Sequence, residues 1–227
     1  MGGKGVYIVI AAYNEEAMLD QVIKALKKHG HRNIVVVDDG SKDNTYNVAK
    51  ANNVYVLRHV LNRGQGAALQ TGIDFALLKG AEIIVTFDAD GQHQPKDISD
   101  LLKPIQDGKA DVTLGSRFLK ETSQIPKSRR VYLKIGAFIL LIMYGIRLTD
   151  SHNGLRAFSR DAAEKIQIRS DGMDHASEIP ELIKKKRLRF KEVPVDIRYT
   201  EYSLKHGQPN SNAFKIFYHM LLRKLLR

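Results

Sequence analysis

Two carboxylates one residue apart, Asp88 and Asp90, stand where the apolar run Ile83–Phe87 stops, and Gly91, Gln92, His93 and then Pro95 follow them. Such a run reads as a short buried strand, and the carboxyl ends of strands in an open α/β sheet are where ligands collect. Side chains at i and i+2 leave an extended chain on the same side, so a bend after Asp90 would let both acids converge on one ion. Hard oxygen donors with the amide of Gln92 beside them suit Mg2+ or Mn2+, ions that also recruit phosphate oxygens from a substrate. Taken alone, the pair reads more readily as two solvated acids that end a strand and cap the next helix.

Other strand ends carry comparable groups. Ala11-Ala12-Tyr13-Asn14-Glu15-Glu16 closes the first apolar run and is read as passing at once into a helix. Small residues such as Ala12 let a ligand approach the backbone, and Tyr13 can stack on a base, while Asn14 and the glutamates also fit an ordinary helix start. The second run ends in Asp38-Asp39-Gly40-Ser41, where a carboxylate can accept from a base N–H or ribose hydroxyls, or simply cap a turn. Asn62-Arg63-Gly64-Gln65-Gly66 follows the third run. It lacks the last glycine of a dinucleotide fingerprint, because position 69 is Leu, and it stands after the wrong strand. What remains is a loop whose glycines, Gly66 included, permit close approach to a phosphate or sugar.

The elements that must hold these groups repeat a strand-then-helix rhythm. Apolar runs at Val6–Ala11, Ile34–Val37, Val54–Leu57, Ile83–Phe87 and Val112–Leu114 alternate with helical stretches, the pattern of a parallel sheet in an α/β domain. With 227 residues and 43% hydrophobic content the chain can bury one substantial core. The expected division is a domain over residues 1–210, with halves 1–116 and 117–210, and an amphipathic helix over 211–227. In that helix Phe214, Phe217, Tyr218, Leu221 and Leu225 share a stripe that fits its own domain, a membrane surface or a partner subunit. Arg117 to Arg130 reads as a basic mobile loop. The apolar window 133–146 is too short to span a bilayer and reads as a buried helix or an interfacial one.

The net charge of +11 is uneven: residues 1–116 are nearly balanced, and the excess lies at 117–147 and 184–227. No aromatic RNA-stacking motif, zinc-finger spacing or basic zipper accompanies it, so phosphate ligands or an anionic membrane suit it better than nucleic acid. The absence of cysteine excludes disulfides, thiolate metal sites and cysteine nucleophiles. No charged-then-apolar leader opens the chain, so a cytoplasmic location is expected.

Taken together, Tyr13-Asn14-Glu15, Asp38-Asp39-Gly40-Ser41, Asn62-x-Gly64-x-Gly66 and Asp88-x-Asp90 fall at strand ends in chain order. With them come Gly115-Ser116-Arg117, Asp150-Ser-His-Asn153-Gly154-Leu-Arg156-Ala-Phe158 and Glu192-Val-Pro-Val195. Over about residues 5–200 the sequence resembles the inverting family 2 glycosyltransferases of GT-A fold, in particular the dolichol-phosphate mannose synthase-like and polyprenyl-phosphate branch. The resemblance implies a single Rossmann-like domain with a mostly parallel central sheet flanked by helices. It implies a UDP- or GDP-sugar donor held by Ala12, Tyr13, Glu15, Asp39, Gly66, Asp88 and Asp90, and Mg2+ or Mn2+ held by Asp88, Asp90 and Gln92. Arg117, Arg129, Arg130 and Arg156 would meet the acceptor, a polyprenyl phosphate or a lipid-linked sugar at the inner face of the membrane.

The sequence departs from that branch at two places. Branch members with a polyprenyl-phosphate acceptor carry a serine shortly after the loop arginine and Gly-x-Ser-Lys after Glu-Val-Pro-Val. Here those stretches read Val131-Tyr-Leu-Lys and Tyr199 to Asn210. A lipid phosphate is already anionic, whereas a saccharide hydroxyl needs a base, for which Asp174 and Glu178 are candidates and helix capping the alternative. Asp90 and Arg117 complete the expected catalytic set, with His93, His152 and His175 as hydrogen-bonding residues. A sugar-phosphate nucleotidyltransferase is disfavoured by the lack of a glycine-rich, arginine-bearing first loop, and a silent module binding anionic ligands rests on charge alone.

Overall fold

Strands buried on both faces read as continuous apolar runs, and those runs form the sheet. The computed structural model describes residues 5–120, 125 and 127–199. Among them β1 is Val6–Ala12, β2 Ile34–Asp38, β3 Tyr55–Arg58, β4 Ile83–Thr86, β5 Val112–Ser116, β6 Arg156–Ser159 and β7 Phe190–Pro194. They make one sheet in the order β3-β2-β1-β4-β6-β5-β7, parallel except for β6, which runs antiparallel to both β4 and β5. The helices are α1 Leu19–Lys28, α2 Thr45–Ala51, α3 Gln65–Leu78, α4 Ile98–Gln106, α5 Lys127–Tyr144, α6 Arg160–Lys165 and α7 His175–Lys185.

Alternation along β1 divides the core between the two faces of the sheet. Ile8 and Ile10 join Val36 and Val85 under α1 and α4, whereas Val9 joins Val35, Val37 and Ile84 under α3, α6 and α7. This mostly parallel, helix-flanked sheet is the expected architecture. The parallel strands β1, β2 and β4 end at one edge, and the reversed β6 starts there, so Arg156 enters the same region from the other direction.

Three local expectations are corrected. Helix α1 does not follow β1 at once but begins at Leu19, because Asn14 takes a left-handed φ of 55° and ties the intervening turn to the loop after β2. The Asn14 N–H donates to Ser41 Oγ and its Oδ1 accepts from the Lys42 N–H. The stretch read as a loop up to Arg130 is already helical from Lys127, since α5 extends upstream of its apolar window. The window itself is both buried and open, by face: Leu133, Ala137 and Leu140 are buried, while Ile135, Phe138 and Ile142 project into solvent, as does Val131 just before it. Among the described residues no helix is long and apolar enough to cross a membrane. The expected terminal helix over 211–227, and residues 200–210 before it, lie outside the described residues.

Candidate active site

At the carboxyl edge of the sheet lies a cavity of about 460 Å³. Its wall takes Ala11, Ala12, Tyr13 and Glu15 from the end of β1, Asp39 from β2, Asn62, Gly64 and Gln65 from the start of α3, and Asp88, Asp90, Gln92 and His93 from beyond β4. Arg117, Tyr132, Leu133, His152, Asn153, Gly154 and Arg156 close the far side, and Gly172, Met173 and His175 the approach to α7.

Asp39 shapes the part of this wall beyond β2. Its Oδ1 accepts from the Arg63 N–H at 3.0 Å and meets His59 Nδ1 at 2.6 Å, and its Oδ2 accepts from the Gly64 N–H at 2.6 Å. The carboxylate thereby draws the loop after β3 onto the end of β2. Gly64, at φ 110°, sits so close to the Asp171 carbonyl that a Cβ would overlap it. Gly66, expected at the donor, packs instead against the Ser170 carbonyl and does not line the cavity. Its role is to let α3 close against the loop before α7.

Asp88 is engaged on both oxygens: Oδ1 accepts from Gln65 Nε2 at 3.2 Å and Oδ2 from His93 Nε2 at 2.8 Å. Burial by itself would raise its pKa, but the adjoining His93, then Arg156 and His175, outweigh that and hold the carboxyl below its ordinary value. Asp90 is half-buried beside it, with Oδ1 accepting from the Gln92 N–H at 2.9 Å. Two carboxylates and the Gln92 amide facing one cavity make an oxygen donor set that fits Mg2+ or Mn2+, which keep positions for water and phosphate oxygens. His93 thus orients a carboxylate, a hydrogen-bonding role.

Gly154 gives Asp88 its room, since a Cβ there would overlap the Asp88 carboxylate. That carboxylate, fixed by His93 and Gln65, has nowhere to retreat. Gly154→Ala is expected to leave a folded protein whose catalytic rate falls by about 10²-fold, the cost of displacing a positioning group by about 1 Å. Steady-state rates alongside circular dichroism would check this; an unchanged rate would mean Asp88 need not hold its position.

The basic side divides sharply. Arg117 is buried with every guanidinium nitrogen bonded: Nε to Asp150 at 2.6 Å, Nη1 to the Tyr199 hydroxyl at 3.1 Å and Nη2 to the His152 carbonyl at 2.7 Å. Burial alone would lower its pKa, but Asp150 and then Tyr199 raise it. Arg156 is equally buried, and burial lowers its pKa to about 10 despite Asp88 and Asp150 nearby. Arg130 is exposed and absent from the cavity wall, and Arg129 stands in the first turn of α5 with its side chain outside the described set.

The proposed bases do not reach the cavity. Asp174 precedes α7 as its N-cap residue, and Glu178, buried in the first turn, accepts from the Arg169 and Ser170 N–H groups at 3.1 and 2.8 Å. The carboxylate read as a base therefore holds the loop that Gly64 and Gly66 pack against. His175 is one of the three histidines expected only to hydrogen-bond. It lies buried on the cavity wall, its Nδ1–H donating to the Gly172 carbonyl at 2.9 Å, and burial pushes its pKa down to about 4, so the ring is neutral. Gln65 and His59 carried no local signal, because their partners lie on other strands.

Comparison with known proteins decides the family. Residues 7–167 match the family described as glycosyl transferase family 2. The chain belongs to that family. It is 39% identical over 246 residues, covering 99% of itself and 98% of the relative, to the UDP-N-acetylglucosamine–dolichyl-phosphate N-acetylglucosaminyltransferase of Methanococcus voltae. It is 30% identical over 207 residues, 87% of itself and 78% of the relative, to the polyprenol monophosphomannose synthase of Mycolicibacterium smegmatis. Its fold matches the glucosyl-3-phosphoglycerate synthase of Mycobacterium tuberculosis, crystallised with Mn2+ and UDP, with TM-score 0.69 at 21% identity over 96% of this chain and 80% of that one. This family 2 glycosyltransferase has the GT-A fold, and its relatives include enzymes that glycosylate polyprenyl phosphates.

Proposed function

We propose that this glycosyltransferase moves a sugar from a nucleoside diphosphate, with UDP-N-acetylglucosamine the first donor to test, onto the phosphate of a polyprenyl lipid at the cytoplasmic face of a membrane. The observation that carries the acceptor choice is the cavity wall. Among the described residues its carboxylates, Glu15, Asp39, Asp88 and Asp90, lie on the side read as the donor's, while Glu178 is turned onto backbone N–H groups. A lipid phosphate needs no base, so a wall built this way suits it better than a saccharide hydroxyl. The name of the Methanococcus voltae relative supports both the donor and the lipid.

In this reading a phosphate oxygen of the lipid attacks the anomeric carbon from the face opposite the leaving group. The new C–O bond forms as the bond to the nucleoside diphosphate breaks, inverting the centre. Tyr13 and Glu15 would receive the nucleoside, with Asp39 holding the adjoining loop in shape. Asp88, Asp90 and Gln92 would hold Mg2+ or Mn2+, which when bound supplies positive charge to the departing diphosphate. Tyr132 and Leu133 carry the wall into α5, whose outward Val131, Ile135, Phe138 and Ile142 offer an apolar stripe to the membrane that delivers the acceptor.

Purified protein given Mn2+, labelled UDP-N-acetylglucosamine and a short-chain polyprenyl phosphate is expected to form a lipid-linked, acid-labile product. Other UDP- and GDP-sugars run in parallel identify the donor. Transfer to a saccharide hydroxyl but not to the lipid phosphate would overturn the acceptor assignment, and no transfer from any donor would overturn the reading.

A further inference from the structure

Among the described residues three histidines line the cavity, and two of them commit a ring nitrogen to a neighbouring side chain. His93 turns Nε2 to Asp88 and His152 turns Nδ1 to the Ser151 hydroxyl, and the second nitrogen of each ring is sealed from solvent. His175 differs. Its Nδ1 lies 2.9 Å from the Gly172 carbonyl, which can only accept, so Nδ1 carries the proton. Its Nε2 bonds no described residue and is not sealed, although the residue as a whole is only 3% exposed; the small opening left to this side chain includes Nε2.

The ring is held from two sides. The Gly172 carbonyl anchors Nδ1, and Gly66, at the start of α3, packs so closely that a Cβ there would stand 3.0 Å from His175 Cβ. Among the described residues no carboxylate bonds the ring, and Arg156 acts on it through space, so an imidazolium here would be a buried cation with no acceptor for its second proton. Burial, and then Arg156, push its pKa down to about 4. Nε2 is therefore a fixed lone pair at the cavity wall.

We propose that His175 Nε2 accepts a hydrogen bond from the sugar being transferred, from one of its hydroxyls or from an acetamido N–H, and so helps select that sugar. The assignment rests on the proposed function and deepens it by naming a residue that reads the sugar. Deprotonated phosphate oxygens and a polyprenyl chain offer no proton to a lone pair; hydroxyls and amides do. The sugar is the proton-bearing group joined directly to the diphosphate. His175 stands where the charges of Arg156, Asp88 and His152 reach it, beyond β4 and β6, whereas Tyr13, Glu15 and Asp39, read as the nucleoside side, stand beyond β1 and β2. A buried acceptor also discriminates, because a sugar lacking the matching hydrogen leaves Nε2 unpaired once the cavity is filled.

The test compares kcat/KM of wild type and His175→Phe, which keeps a planar ring and removes the lone pair. The donors are UDP-N-acetylglucosamine, or whichever nucleotide sugar the wild type transfers, and analogues of it that each lack one hydroxyl or the acetamido group. Wild type is expected to lose about tenfold or more on the analogue without the partner group. His175→Phe is expected to lose about tenfold or more on the intact donor and nothing further on that analogue, since the contact is already gone.

Losses that multiply for every analogue overturn the proposal, while transfer by the wild type leaves the proposed function standing. A wild type that transfers from no donor overturns the proposed function, and this proposal with it. Should His175→Phe not fold, the wild-type protein decides by the 15N resonance of His175 Nε2, assigned by correlation to its own backbone, with Mg2+ and either UDP or the intact donor added. A shift with the donor and none with UDP supports the proposal. Equal shifts with both, which would put the ring on the nucleoside diphosphate, or none with either, overturn it.

Discussion

Asp90→Ala is expected to lower sugar transfer on the order of 10³-fold while leaving thermal unfolding within about 0.5 kcal/mol of wild type. The two effects separate because of where Asp90 stands. Its carboxylate is half-buried on the cavity wall and shapes the turn through the Gln92 N–H, whereas its neighbour Asp88 is locked between His93 and Gln65. In the proposed function both acids would serve the bound ion, and Asp88 in addition answers the buried His93. Asp88→Ala is the internal contrast. It leaves His93 and Arg156, both nearly inaccessible, without the carboxylate they face, and should cost stability as well as rate, about 1–3 kcal/mol. Rates over a Mn2+ titration, with unfolding followed in parallel, measure both effects. Near-wild-type transfer by Asp90→Ala at low Mn2+ would move the ion away from these residues.

The cavity wall beyond β1, β2 and β4 was legible in the sequence because central parallel strands announce themselves as unbroken apolar runs, and the residues that end them can only lie at one edge. That is why Tyr13, Glu15, Asp39, Asp88 and Asp90 came together as read. The opposite wall was less legible because β6, which leads into it, carries no such run. Strand β6 is Arg-Ala-Phe-Ser, four residues with a cation at their head, and only its reversed pairing between β4 and β5 makes it part of the sheet. Helix α5 begins inside a stretch whose basic character read as loop, since its buried face repeats only at Leu133, Ala137 and Leu140. Glu178 looked like a base because a carboxylate's type is visible in sequence and its hydrogen-bond partners are not. Gly66 looked like a ligand contact for the same reason, although a carbonyl 104 positions away is what requires it.

The segments Gly115-Ser116-Arg117, Asp150–Asn153 and Glu192-Val-Pro, distant along the chain, form one knot. Glu192 accepts from the Thr149 N–H, the Thr149 hydroxyl and the Asp150 N–H, and Ser116 Oγ meets Thr149 Oγ1 at 2.6 Å. These bonds aim Asp150 inward. Its Oδ2 accepts from Arg117 Nε and from the Arg117 N–H, and its Oδ1 from the His152 N–H. Both partners of the ion pair are out of solvent, 3% and 0% exposed at the side chain. Asp150→Ala is therefore expected to cost about 3–5 kcal/mol, because it strands a guanidinium whose other bonds go to neutral oxygens. For a chain of this length that lowers Tm by on the order of 10 °C. The companion variant decides the cause: Asp150→Leu with Arg117→Met removes both charges and should recover a large part of the loss, as a buried pair replaced by apolar groups does. Thermal unfolding of Asp150→Leu, Arg117→Met and their double gives the coupling. Simple addition of the single losses would show that the knot is held by its backbone hydrogen bonds and not by the ion pair.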